Sequence, residues 1–78
     1  MSFNLAAFTR DHARAAGIPE EHVPAVVHRA EMAMAALTCF AGQQTREQRD
    51  AATPSAVCRR VVAGAVDDHA AGVLERLL

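Results

Sequence analysis

Apolar side chains in this chain of 78 residues recur at helical spacing in three long stretches, and nowhere do they alternate as in a half-buried strand. In the first stretch Leu5, Phe8, His12 and Ala15 fall on one helix face, while Arg10, Asp11 and Arg14 fall on another. Ser2 is a suitable N-cap and Gly17 a suitable stop, so a helix is predicted over 3–16. The connector Gly17-Ile-Pro-Glu-Glu-His-Val-Pro24 contains two prolines, each disfavouring α geometry just before it. It leaves room for a single turn at Pro19–His22. A second helix is predicted over 24–41, its main apolar line being Val26, Ala30, Ala33, Met34, Leu37 and Ala41, with Val23 leading in and Gly42 as the stop. Thr53-Pro54 is a start signal, a cap followed by proline in the first turn. It opens a third helix over 54–77 along Cys58, Val61, Val62, Ala65, Val66, His69, Val73 and Leu77. Gly64 and Gly72 lie inside it, and Asp67 is a place where it could break. Thr45-x-x-Gln48 matches a capping box and adds a short helix over about 46–52. The expected fold is an all-α bundle of three main helices in a single domain, 1–78, with sequence neighbours antiparallel and the second helix most buried.

The second helix carries an anomaly. From Met32 onward a further line, Met32, Ala36, Cys39 and Phe40, lies outside the main one, and Thr38 is the one polar side chain before Gly42. A helix apolar all round is normally buried. Composition sharpens the problem, because alanine accounts for almost half of the hydrophobic residues and there is no Trp or Tyr. Alanine removes little area from water, and a chain of this size buries only about 60% of its unfolded surface. The second line is therefore expected either to be wrapped by the other two helices or to form a two-fold interface. The latter makes Met32, Ala36, Cys39 and Phe40 the candidate homodimer residues.

Charge narrows the functional classes. The net charge of −1 does not suit a general nucleic-acid binder. All eight basic residues are Arg. Arg46, Arg49, Arg59 and Arg60 gather before residue 61, and Asp67 and Asp68 follow, so the second half is basic at one end and acidic toward the other. These six are the candidate partner-binding residues. Arg59 and Arg60 also stand near a helix start, where positive charge is mildly unfavourable. No apolar run approaches the roughly 20 residues of a membrane span, and the N-terminus lacks a signal-peptide layout. A soluble, cytoplasmic protein with reduced Cys39 and Cys58 is expected.

Candidate chemistry is sparse. Cys39 and Cys58 lie at helix ends that an antiparallel pair brings together, and they read as small buried hydrophobes. No His pair has i, i+4 spacing. A His12–His69 metal site would require the first and third helices to touch directly. Asp67, Asp68 and His69 are consecutive, so on a helix they diverge. No nucleophile-elbow or phosphate-loop glycines occur. The expectation is accordingly non-enzymatic, without metal or cofactor: a small protein that binds a larger protein or ribonucleoprotein and blocks or adapts it. Inhibitors carried by phages and other mobile elements, anti-CRISPR proteins among them, belong to that class. The alternative is a small helix-turn-helix-like DNA-binding regulator, pairing the 46–52 helix with the third helix and placing Arg59 and Arg60 against the duplex.

Overall fold

A computed structural model describes residues 3–39, 45–47 and 53–72. Three α-helices carry the fold, α1 (Leu5–Ala15), α2 (Val23–Cys39) and α3 (Pro54–Ala70), with a 3-10 turn at Glu20–His22 running directly into α2. No strand occurs among the described residues. The all-α bundle is as the spacing predicts, and the short turn after Pro19 is present.

Local chemistry explains the ends. Asn4, rather than Ser2, caps α1, its side chain accepting a 3.0 Å hydrogen bond from the Ala7 amide. The helix therefore starts two residues later than the apolar pattern implies. At its other end the Ile18 amide bonds to the Ala13 carbonyl at 3.0 Å and the Gly17 amide to the Arg14 carbonyl at 3.1 Å. Gly17 has φ +88°. This is a complete Schellman motif, closed by contact between buried Ile18 and Ala13. Thr53 caps α3 through Ala56, with Pro54 in the first turn. α3 passes through Gly64 and Asp67 without a break and stops at Ala70, because Gly72 adopts φ +77°. The expected helix to residue 77 is thus too long; Val73 and Leu77 lie outside the described residues. Gly42, Ala41 and most of the 46–52 helix also lie outside them; Arg46 and Glu47 are helical.

The core cluster joins Ala13, Ile18, Val23, Val26, Val62 and Ala65, with Val27, Val61 and Val66 packed around it. Contacts along the helices give an up-down-up order. Thr9 of α1 meets Cys58 early in α3, Ala13 joins Val62 and Ala65 later in it, and Arg29 in the first half of α2 meets Asp68 near the α3 end. The α1 face differs from the expected one. Thr9 and Ala13 are fully buried, Leu5, Phe8 and His12 are half-buried, and Ala15 is exposed. The small Thr9–Ala13 line lets α3 approach closely. The larger rings are displaced to the rim, where Phe8 stacks on His12 at 4.4 Å and packs against Phe3 at 5.1 Å.

Candidate interaction surface

α2 is the helix with two apolar faces, and the bundle covers one. Val23, Val26 and Ala30 are buried, and Ala33, Met34 and Leu37 are half-buried on the same side. On the opposite side Met32 is 58% exposed, and Ala35 and Ala36 are exposed with it, as is His28 at the start of that side. The expectation that α1 and α3 together wrap Met32 and Ala36 is overturned. A three-helix bundle gives α2 two neighbours, both on its core side, so its outer face meets neither. His28, Met32 and Ala35 are spaced i, i+4, i+7 and form one outward line. That spacing is visible in the sequence, but Ala35 does not stand out among so many alanines. The Cys39 side chain and all of Phe40 lie outside the described residues.

The candidate charged residues do not form one patch. Arg46 is exposed and Arg49 lies outside the described residues. Arg59, Arg60 and Asp67 are exposed on the outer side of α3. Asp68 is not available in the same way, because its Oδ2 accepts a 2.7 Å hydrogen bond from Arg29 Nη1 and ties α3 to α2.

Cys58, His12, His22 and His69 have neighbours that spacing alone did not show. Cys58 is a free, fully buried thiol whose sulfur accepts a 3.0 Å hydrogen bond from the Thr9 hydroxyl. Thr9 of α1 is thus one of its neighbours, while the expected closeness to Cys39 lies outside the described residues. α1 and α3 do pack directly, yet His12 lies on Phe8 while His69 faces His22 at 5.9 Å between ring centroids. His22, 1% exposed, is held in the 3-10 turn, and Glu21 Oε1 stands 3.7 Å from its Nε2. Among the described residues no group of three or more His, Cys, Asp or Glu is placed to hold a metal ion.

An open cleft between α1 and α2 has a floor of Val23, Pro24 and Val27 and a charged rim that includes Arg10, Arg14 and Glu31. Glu20 occupies part of it by pairing with Arg14 through both Nε and Nη2. That side-chain hydrogen bond raises the Arg14 pKa above its already high ordinary value. The cleft thus presents the Arg14–Glu20 ion pair beside a small apolar floor, with His28 also on its lining. No helix among the described residues is long and apolar enough to cross a membrane. Comparison with protein-family models, with curated proteins and with solved structures returns no match.

Proposed function

We propose that the protein is a non-enzymatic interaction module that binds a larger protein or ribonucleoprotein and blocks or adapts it. Its working surface is the outer face of α2. The observation that carries this reading is the exposure of Met32 beside Ala35 and Ala36 on a helix whose other side already supplies the core. Exposing apolar surface is unfavourable, and scattered apolar residues are ordinary, but an apolar line along one helix is the shape of a helix-in-groove ligand. Met32 is a flexible side chain suited to filling a pocket, and the flanking alanines allow close approach. Small inhibitors of mobile elements, including those directed at CRISPR machinery, work by occupying such a surface. That likeness is one of class only.

The test is capture from a host lysate with matched baits. Wild type and Arg14→Ala should retain the same stoichiometric partner, while Met32→Glu should lose it. Equal capture by Met32→Glu would refute the assignment of the α2 face. The DNA-binding alternative draws on the exposure of Arg59 and Arg60 near the capped start of α3. It requires duplex binding that weakens steeply with salt and disappears in Arg59→Ala/Arg60→Ala.

A further inference from the structure

The outer side of α3 is chemically self-complementary, and we infer that it docks a second copy of this chain in antiparallel orientation. α3 turns Val57, Cys58, Val62 and Ala65 inward. Directly opposite run Ala56, Arg59, Arg60, Ala63, Asp67 and Ala70, all exposed except half-buried Ala56. Ala56, Ala63 and Ala70 are seven residues apart, so they form nearly one line, drifting about 20° per step. Arg59 and Asp67 lie four residues either side of Ala63, and Ala56 and Ala70 seven either side. A two-fold axis at Ala63 therefore sets alanine against alanine and each Arg59 against the other copy's Asp67.

Three observations make the fold of one chain an insufficient account of this face. The first concerns charge. Arg59 and Arg60 stand in the N-terminal half of α3 and Asp67 in its last turn, so this face is basic toward one end and acidic toward the other. An antiparallel neighbour turns this asymmetry into complementarity, because each cationic half then meets the carboxylate of its partner. The second is that neither Arg59 nor Asp67 makes an ion pair among the described residues. Two helical turns apart on one helix, they cannot reach each other. The third is Gly64. It sits exposed in the helix interior, and a Cβ added there would meet nothing within 4 Å. Packing within the chain does not call for glycine, whereas close approach of a second helix beside Ala63 is served by its small size. This face is distinct from the α2 face proposed to bind the target.

One helix pair of this length buries less than the about 1,200–2,000 Å² of a standard interface, so the association is weak and salt-sensitive. Sedimentation equilibrium over roughly 10 µM to 1 mM at low salt reads it directly. Wild type should show a reversible monomer–dimer equilibrium. Arg59→Glu and Asp67→Arg, each at an exposed position, should keep the helical circular dichroism and dimerise roughly tenfold more weakly, since two symmetry-related pairs are lost at once. Mixing these two variants should restore association. In the mixed dimer the carboxylate introduced at position 59 of one copy faces the guanidinium introduced at position 67 of the other, and the remaining Arg59 faces the remaining Asp67. A wild type that stays monomeric throughout the range overturns the inference. So does a mixture that fails to recover, or a dimer that ignores both charge changes and is lost in Met32→Glu instead.

Discussion

Alanine substitution at two glycines should change stability in opposite directions, and the structure fixes both signs. Gly64 lies in the interior of α3 with helical backbone and open space where a Cβ would go. Glycine in a helix interior is less favourable than alanine by about 1 kcal/mol, chiefly because the unfolded chain has more freedom to lose. An exposed Cβ adds little burial, so Gly64→Ala should stabilise the monomer by about 0.5–1 kcal/mol. For a domain of this length, a change of about 1 kcal/mol moves the midpoint by about 4–8 °C. Gly17 has φ +88° at the Schellman turn, and it too has nothing near its missing Cβ. There the backbone decides, since an L side chain in that conformation costs about 1–2 kcal/mol. Gly17→Ala should therefore lower the midpoint by several degrees. Thermal melts followed by far-ultraviolet circular dichroism, at concentrations low enough to hold the monomer, separate the cases. A lower midpoint for Gly64→Ala would refute the open, unstrained geometry at that site. An unchanged midpoint for Gly17→Ala would refute the left-handed cap.

Two further expectations concern the α1 contacts. Cys58→Ala should lose about 2 kcal/mol in urea unfolding, because it opens a small cavity and leaves the buried Thr9 hydroxyl unmet. Thr9→Val should lose under about 1 kcal/mol, and the double variant should lose less than the two losses combined, the orphaned hydroxyl being absent. Asn4→Ala should lose about 1 kcal/mol while Asn4→Asp retains the cap; equal losses in the two would contradict the Asn4–Ala7 hydrogen bond.

Helix number, type and approximate position were legible because periodicity and the Gly17 and Thr53-Pro54 signals agree with the packing. The faces were less so. On α1 the large side chains Phe8 and His12 drew the predicted line, yet the core selected Thr9 and Ala13, because close approach of α3 favours small residues there. Thr9 looks polar in sequence, and its buried hydroxyl is met by Cys58, far along the chain. The end of α3 was overestimated because apolar spacing continues past Gly72, while the left-handed backbone at that glycine stops the helix. Asp68 read as one of a pair of equivalent carboxylates, and only the fold distinguishes it, pairing with Arg29 and leaving Asp67 outward. The second line of α2 was visible from the start. Its exposure was not, since spacing alone does not say how many neighbours a helix has.

The central claim is that α2 has two apolar faces and folding uses one. Urea unfolding of Val26→Ala and Met32→Ala compares them within one helix. Val26 is fully buried, and losing two methyl groups plus the space they leave should lower stability by about 2 kcal/mol. Met32, 58% exposed, should change it by no more than about 0.5 kcal/mol. A Met32→Ala loss as large as that of Val26→Ala would contradict the account, since the outer face of α2 would then belong to the core.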